Sequence, residues 1–354
     1  MSNILRYLYK NAVKPVLFQI DAEVVHDGFT LFGSILGRFP GGMFATEKLI
    51  KGTIPDKKVI IDGVELSSPV GLAAGFDYTG RMARVMKGVG FGFNTVGTVT
   101  ARPYEGNRKP RLLRLPTSRA LLVNKGFKSP GAQEVKKILD AQNLAGQIVG
   151  ISVGSSNIPE VDTIEKAIAD YCTTLSIFKD VPYVSYFEIN ISCPNACISE
   201  QFAAKETLSN LLTEISKLNI TKPLWLKMAN EITEEQLVEQ IQTAMKFGVK
   251  TFILSNLVKH RDNAFIAEED RKRVEKLKGN FSGKPTEENT LKLIAKARQT
   301  FGKEISIIGL GGIFSPEDAQ KKIDAGADAV QLITGMIYEG PWLIGDIIRS
   351  LKMR

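Results

Sequence analysis

From about residue 68 onward the chain alternates short apolar segments with longer amphipathic ones, and this repeat limits the folds available to it. The apolar segments predict strands buried on both faces of a parallel sheet, at residues 70–73, 93–98, 148–153, 184–191, 224–228, 251–254, 305–308 and 329–333. The amphipathic segments predict helices, at residues 81–87, 132–142, 163–178, 205–218, 233–247, 288–301, 316–325 and 342–351. Eight strand–helix units predict an α/β fold, the (β/α)8 or TIM barrel, whose functional groups lie on the loops after the strands.

Three joints between a helix and the next strand contain glycine, at residues 88–92, 247–251 and 325–329. Glycine ends a helix at little steric cost because it readily adopts positive φ angles. The alternative fold is a doubly wound open sheet. The sequence disfavours this alternative, because no G-x-G-x-x-G motif follows the first strand, although residues 71–75 are rich in glycine.

The composition describes a globular chain with a large core, because 44% of its 354 residues are hydrophobic. Its formal net charge is +8, but the basic residues are scattered among 38 acidic ones. We therefore expect no nucleic-acid partner. No apolar stretch approaches the roughly 20 residues of a membrane-spanning helix, so the chain is not expected to cross a bilayer.

The chain has three cysteines, Cys172, Cys193 and Cys197, and two histidines, His26 and His260. So few cysteines, with no cleavable signal pattern, predict a reducing, cytoplasmic location and no disulfide framework. A zinc site at Cys193 and Cys197 needs two further ligands in a chain that has almost no histidine. We expect no metal site.

The N-terminal region precedes the repeat, which divides the chain into two predicted parts, residues 1–45 and the barrel at 46–354. The first part predicts two apolar helices, and the leading one also carries Arg6, Lys10 and Lys14. Such helices either pack on the outside of the barrel or lie on a membrane with their basic residues at the headgroups. The sequence favours neither interpretation. If these helices lie on a membrane, the protein is peripheral on its inner face.

A charged insertion at residues 257–285 follows the sixth strand. Connections of this length are uncommon within a compact domain and often act as lids. We expect a lid or a partly mobile loop over the site.

The fourth strand runs into the sequence Glu188-Ile-Asn-Ile-Ser-Cys-Pro-Asn195, which groups Asn190, Cys193 and Asn195. Pro194 ends the strand ladder, so that side chains project into a cleft. Asparagine amides donate and accept hydrogen bonds together and therefore suit a planar amide or imide ring. Most lone cysteines are small buried hydrophobes, but this strand end is a better place for chemistry than for packing.

Two glycine-rich turns follow the last two strands, Gly309-Leu-Gly-Gly-Ile313 and Thr334-Gly-Met336. Barrels commonly bind a phosphate on backbone amides here; the alternative is that these glycines only shape turns. Ser282 and Gly283 of the insertion add a hydroxyl and an amide. Lys227 ends the fifth strand, where a buried cation needs an anionic partner. A reduced flavin would supply that charge.

Together these motifs resemble the dihydroorotate dehydrogenase family over nearly the whole chain. In the family's order they are Gly71-Leu-Ala-Ala-Gly75, Gly97-Thr-Val-Thr-Ala-Arg-Pro103, Asn190-Ile-Ser-Cys-Pro-Asn195, Lys227, Ser282-Gly283-Lys-Pro285, Gly309-Leu-Gly-Gly312 and Thr334-Gly335. The leading helices, with Leu17-Phe-Gln-Ile-Asp21, resemble the membrane-associated, quinone-using class 2.

The resemblance implies an FMN-dependent oxidoreductase of pyrimidine biosynthesis that converts dihydroorotate to orotate. A hydride passes from substrate C6 to flavin N5, Cys193 takes the C5 proton, and a quinone accepts the electrons. The implied FMN contacts are Ala73, Ala74, Gly75, Thr98, Ser152, Asn190, Lys227, Ser255, Ser282, Gly283, Gly311, Gly312, Thr334 and Gly335. The implied substrate contacts are Tyr78, Phe127, Asn190, Asn195, Asn256 and Leu257.

The chain departs from the family in several places. Cysteine at the base position is typical of the soluble class 1, whereas the quinone-using class has serine. Tyr78 replaces a lysine that touches flavin and substrate carboxylate, and Lys125 or Lys128 could supply the lost cation. Amide or hydroxyl side chains of the family are replaced at three further positions, Val123, Ser152 and Leu257.

Two alternative functions therefore stay open beside dihydroorotate oxidation. The first is a related flavoenzyme acting on a different, less anionic cyclic substrate. The second is a non-catalytic relative that binds a flavin or a metabolite.

Overall fold

The computed structural model describes residues 2–39, 41–196 and 198–353. Thirteen strands lie in these ranges: β1 (Val59–Ile61), β2 (Val64–Leu66), β3 (Val70–Leu72), β4 (Phe93–Val99), β5 (Leu112–Leu115), β6 (Ala120–Val123), β7 (Val149–Val153), β8 (Val184–Asn190), β9 (Leu224–Met228), β10 (Thr251–Leu254), β11 (Asn280–Gly283), β12 (Ser306–Leu310) and β13 (Ala329–Leu332).

Eight parallel strands close into a barrel, paired in the order β3, β4, β7, β8, β9, β10, β12 and β13, with β13 returning to β3. These are the eight strands that the repeat predicts, so the (β/α)8 prediction is confirmed and the open sheet is wrong. Every residue of β4, β7 and β10 is buried. Their apolar runs reflect this position, because helices cover one face and barrel side chains fill the other.

Fourteen α-helices lie in the same ranges: α1 (Ser2–Leu8), α2 (Lys14–Leu17), α3 (Ala22–Arg38), α4 (Gly42–Thr46), α5 (Ala83–Val89), α6 (Ala132–Asp140), α7 (Ile164–Phe178), α8 (Lys205–Ser216), α9 (Glu234–Met245), α10 (Glu268–Val274), α11 (Glu287–Phe301), α12 (Pro316–Ala325), α13 (Thr334–Glu339) and α14 (Trp342–Ser350). The eight helices predicted from the repeat agree with this set to within a few residues.

Local sequence signals explain where the barrel helices begin and end. The Thr233 hydroxyl caps α9 in a reciprocal pair with Gln236, and Ser315 caps α12. Gly90 after α5 and Gly326 after α12 have φ angles of 114° and 122°. These two glycines lie in the predicted joints and turn the chain from helix to strand.

The β1–β2 hairpin fills the amino-terminal end of the barrel. Ile61 and Leu66 of the hairpin pack in one cluster with Phe93, Tyr186 and Trp225 from the starts of barrel strands. The Tyr186 and Trp225 rings stack with centroids 3.6 Å apart. This end is therefore packed, and a ligand can enter only from the carboxyl ends of the strands.

A three-stranded antiparallel sheet, ordered β11-β6-β5, lies over those carboxyl ends. β11 and α10 both belong to residues 257–285, so the insertion predicted to be a lid or a partly mobile loop contains regular elements and lies over the site. Backbone amide and hydroxyl groups of Ser118 donate to the Asp270 carboxylate at 2.9 and 2.7 Å. Val258 and Phe281 exchange two backbone hydrogen bonds. The Val258–Phe281 pair closes the insertion on itself, whereas Ser118 and the pairing of β11 with β6 hold it over the barrel as an ordered roof.

The N-terminal helices contact the barrel. Arg6 pairs with Asp346, Lys10 Nζ lies 2.5 Å from Glu339 Oε2, and the Tyr9 hydroxyl donates to the Ile337 carbonyl. Two of the three basic residues of the leading helix thus bind barrel acids instead of facing outward. Residues 42–51 are helical across the predicted boundary at 45/46, and that division stays a prediction.

Candidate active site

A cleft of about 1200 Å³ opens at the carboxyl ends of the barrel strands, beneath the β11-β6-β5 sheet. Loops after six of the eight barrel strands contribute to its lining, and β9 contributes Lys227 from within the strand. The predicted site residues that line it are Ala73, Ala74, Gly75, Tyr78, Thr98, Phe127, Asn190, Cys193, Asn195, Lys227, Asn256, Leu257, Ser282, Gly283, Gly311, Gly312, Thr334 and Gly335.

Two predicted flavin contacts, Ser152 and Ser255, do not line the cleft and are fully buried behind it. The Ser152 hydroxyl lies 3.0 Å from Thr98 Oγ1 and donates to Glu188 Oε1 at 2.8 Å. Ser255 Oγ is 2.7 Å from Thr290 Oγ1. Ser152 therefore supports Thr98 in the wall, whereas Ser255 is bonded to a residue behind the wall; neither serine lines the cleft itself.

Lys227 has an anionic partner inside the protein. Its Nζ lies 3.3 Å from Glu188 Oε1, and both side chains are almost completely buried. Glu188 and Lys227 belong to the neighbouring strands β8 and β9, where Lys227 pairs with Asn190, two residues after Glu188. The expectation that a flavin supplies the counter-charge is therefore wrong, because the protein provides it. The carboxylate keeps its second oxygen, Oε2, without a partner among the described residues.

Cys193 lies on the β8 loop, 8% exposed, against Phe127 and Ala196. The Asn190 side chain beneath it donates to Thr98 Oγ1 at 2.9 Å and accepts from the Ser192 hydroxyl at 3.2 Å. The loop is thus fixed by its own polar side chains, so the thiol is held at one place in the cleft wall.

The other two predicted amides are fixed in the same way. Asn195 Nδ2 donates to the Val123 carbonyl at 3.0 Å, and its Oδ1 accepts from Asn280 at 2.6 Å. Asn256 Nδ2 donates to Ser192 Oγ at 2.9 Å. Amides locked by such neighbours present their remaining hydrogen-bonding capacity in one orientation.

The turns after β12 and β13 form a cradle that only glycine permits. Gly311 and Gly312 have φ angles of 96° and 68°. A Cβ atom at Gly312 would lie 2.5 Å from Glu287 Cβ, and one at Gly335 would collide with the Ile313 carbonyl. Ser282 Oγ lies 3.0 Å from Thr334 Oγ1, so two hydroxyls and the glycine turns line the same part of the cleft. This donor set fits the phosphate of a nucleotide cofactor.

Tyr78, which is predicted to replace a lysine of the family, faces α3. Its hydroxyl donates to Asp27 Oδ1 at 3.2 Å, and its ring stacks on His26 at 5.5 Å. Burial and the Asp27 carboxylate raise the pKa of Tyr78, so it stays neutral. The ammonium groups of Lys125 and Lys128 lie 4.5 and 5.6 Å from the Tyr78 ring centroid.

A second cleft, of about 1080 Å³, lies between the N-terminal helices and the barrel. It is almost entirely apolar, and Arg114 is one of its few charged lining residues. The two clefts adjoin, because five residues line both: His26, Phe76, Leu112, Leu121 and Ile337.

The sequence interpretation missed three groups. Glu188 was not singled out, although a carboxylate within an otherwise apolar strand is a signal for a buried polar role. His26 lines both clefts and Thr286 lines the first, but neither lies in a motif that identifies it. Cys197, considered with Cys193 as a metal ligand, lies outside the described residues.

Comparison with known proteins agrees with this arrangement. The sequence profile of the family described as "Dihydroorotate dehydrogenase" matches residues 57–354. A relative from Christiangramia forsetii, named dihydroorotate dehydrogenase (quinone), is 33% identical over 97% of this chain and 98% of its own length. A Coxiella burnetii relative of the same name is 36% identical over 99% of this chain and 97% of its own.

Two solved structures have the same fold. The crystal structure of ligand-free DHODH from Eimeria tenella superposes with a TM-score of 0.79 and 26% identity, covering 93% of each chain. The complex of the Eimeria tenella protein with ferulenol gives a TM-score of 0.78 at 25% identity, covering 94% of this chain and 90% of the other. By sequence over nearly its full length, and by fold, the chain belongs to the dihydroorotate dehydrogenase family.

Proposed function

We propose that this protein oxidises dihydroorotate to orotate with a bound FMN and passes the electrons to a quinone. The observation that carries the proposal is that Cys193 and three asparagine amides line the same cleft as the glycine cradle. A base, a set of ring-binding amides and a phosphate site are thus available to one substrate and one cofactor. The names of the full-length relatives support the same activity.

FMN is the flavin we assign, because the cradle at Gly311, Gly312 and Gly335 suits a single phosphate group. Lys227 would stand at the flavin ring with its charge already balanced by Glu188. When bound, the flavin supplies the two-electron acceptor for the hydride that leaves the substrate.

The chain's own residues do the acid–base and positioning work. Cys193, as thiolate, takes the proton from substrate C5, and its unperturbed pKa of about 8.5 makes it a far better base than a serine hydroxyl. Asn190, Asn195 and Asn256 bind the polar edges of the ring and hold C5 toward the thiol. The roof over the cleft limits the access of water during the reaction.

The second cleft is the site we assign to the quinone. A lipophilic ring needs an apolar cavity, and this one adjoins the first through His26 and Phe76. The N-terminal helices form one wall of it. This arrangement explains why helices that are not needed to close the barrel are nevertheless part of the protein.

Peripheral contact with a membrane is the further part of the proposal. Large apolar side chains of these helices point to solvent, among them Ile4, Tyr7, Val16, Val24, Leu31, Ile35, Phe39 and Phe44. Surface-lying helices bind lipid through such faces. Within the ranges described, no helix is long and apolar enough to cross a bilayer.

Membrane contact is tested by flotation with vesicles of mixed zwitterionic and anionic lipid. Wild type should float, and Leu31→Glu with Ile35→Glu should stay in the dense fraction. Both positions are more than half exposed and neither lines the second cleft, so the paired variant should retain its flavin and its oxidation of dihydroorotate. Wild type that does not float contradicts this part of the proposal.

The activity itself is tested by following orotate formation with dihydroorotate and a short-chain ubiquinone analogue. The proposal expects turnover that needs both reagents and bound FMN. A yellow protein that oxidises only uncharged dihydropyrimidines would contradict the substrate assignment and favour the related-enzyme alternative.

A further inference from the structure

Lys125 carries a buried charge that nothing in the described structure neutralises directly. It lies in the loop after β6, and its side chain lines the first cleft. The Nζ atom is buried and has no hydrogen-bond partner among the described residues. An ammonium group sealed from water without a partner is unfavourable unless an anionic ligand completes its surroundings.

The charged groups next to Lys125 already have partners. Arg111 and Lys128 both bind the Glu23 carboxylate, at 2.9 and 3.2 Å. Asp27 accepts the Tyr78 hydroxyl. Lys125, Lys128 and Arg111 are thus three cations beside the two carboxylates of Glu23 and Asp27. Of the three cations, Lys125 is the one without a carboxylate partner.

We propose that Lys125 binds the carboxylate of the substrate and so replaces the lysine that the family has at position 78. This inference rests on the proposed function, because it takes a carboxylated dihydropyrimidine as the substrate. It assigns specificity for an anionic ring to a residue on the β6 loop instead of the β3 loop.

Tyr78 is the positioning residue for this ammonium. Its ring is fixed by His26 on one side and by the hydroxyl bond to Asp27. Lys125 Nζ lies 4.5 Å from the ring centroid, within the range of a cation–π contact. The aromatic face steadies the cation without using its N–H donors, which have no other hydrogen-bond partner among the described residues.

Lys128 is the less suitable candidate for the same role. It is 3.2 Å from Glu23, and its ammonium lies farther from Tyr78, at 5.6 Å. Its charge is therefore already paired. This difference makes Lys128 the matched control for Lys125.

The test compares two ligands that differ only in charge, orotate and its uncharged carboxamide, by isothermal titration of the FMN-loaded protein. Wild type should prefer orotate. Lys125→Met should raise the Kd for orotate by roughly 10- to 100-fold, the usual loss for one hydrogen bond to a charged group. The carboxamide should bind almost as before, so the preference should collapse.

Lys128→Met should keep the preference for orotate. The paired change Tyr78→Lys with Lys125→Met returns an ammonium to the β3 loop and should recover the preference. If Lys125→Met does not fold, judged by circular dichroism and flavin content, Lys125→Gln repeats the test with a polar, uncharged side chain.

The outcomes separate this inference from the proposed function. If wild type oxidises dihydroorotate and Lys125→Met still prefers orotate, the carboxylate is held elsewhere; the inference fails and the proposed function stands. If wild type neither oxidises dihydroorotate nor prefers orotate, the proposed function fails and the inference fails with it.

Discussion

The Lys227 ammonium lies 3.3 Å from the Glu188 carboxylate, and this pair is sealed in the barrel wall between β8 and β9. Lys227 therefore does not depend on a cofactor for its counter-charge. Ser152 donates to the same carboxylate oxygen and connects the pair to Thr98 in the cleft wall. The charge pair is thus part of the apoprotein's own structure.

Lys227→Met should lower the free energy of unfolding of the apoprotein by about 3–5 kcal/mol, because it leaves the Glu188 carboxylate buried and unpaired. Adding Glu188→Gln removes that uncompensated charge and should restore much of the stability. Urea denaturation of the flavin-free proteins measures both effects. Equal destabilisation by the single and the double change would mean that the pair is not coupled.

Cys193→Ala should keep its flavin and slow the reduction of that flavin by dihydroorotate roughly 10²- to 10⁴-fold, the usual contribution of a positioned base. Cys172→Ala on α7 is the control. Burial raises the pKa of Cys172 to about 11, and it does not line either main cleft. Stopped-flow absorbance measures the rate. Unchanged reduction in Cys193→Ala would move the base to another residue.

Gly312→Ala should lose FMN. The added Cβ would meet Glu287 at 2.5 Å and would also sit on a backbone with a φ angle of 68°. Gly302→Ala shares the unfavourable φ, at 56°, but has open space around the position. Both changes place a side chain at a positive φ angle, but only Gly312→Ala adds an atom against the cradle, so flavin content per chain reports on the cradle. Full flavin content in Gly312→Ala would place the phosphate elsewhere.

The pH dependence of orotate binding follows from Lys125. Burial lowers the pKa of Lys125 to about 8, so its ammonium loses its proton as pH rises through that value. The Kd for orotate should be constant below about pH 8 and rise above it, whereas Lys125→Arg should bind equally well on both sides. The titratable or charged groups around this ammonium are Glu23, His26, Asp27, Tyr78, Arg111 and Lys128.

These measurements are best made in a Cys193→Ala background, so that the thiol in the cleft does not contribute to the pH dependence. Stability of the ligand-free protein should change in the opposite direction. Since the pKa of Lys125 is lowered on folding, the unfolded chain binds more protons between about pH 8 and the usual lysine range, and stability rises with pH there. The difference between wild type and Lys125→Met isolates this contribution. Loss of stability over that window would contradict the assigned shift.

Much of the barrel could be predicted from the sequence because its strands are buried on both faces. A segment such as Leu224–Met228 is apolar throughout except for Lys227, and its bounds agree with the prediction. The cleft residues followed from the same logic, since side chains after parallel strands meet at one end of a barrel.

The roof could not be predicted in this way. β6 and β11 pair Leu121 with Ser282 across a long stretch of intervening chain, and no local pattern specifies such a partner. The contacts of Tyr78 could not be predicted either, because His26 and Asp27 contact it from the N-terminal helix α3. Charge pairs such as Glu188 with Lys227 also depend on which strands become neighbours.

Anaerobic titration of the purified, FMN-loaded protein with dihydroorotate tests the central claim most directly. The account predicts that about one equivalent of dihydroorotate bleaches the visible absorbance of the flavin, with one orotate formed, and that a ubiquinone analogue restores the colour. A flavin that stays oxidised in excess dihydroorotate, yet is bleached by dithionite, would contradict it.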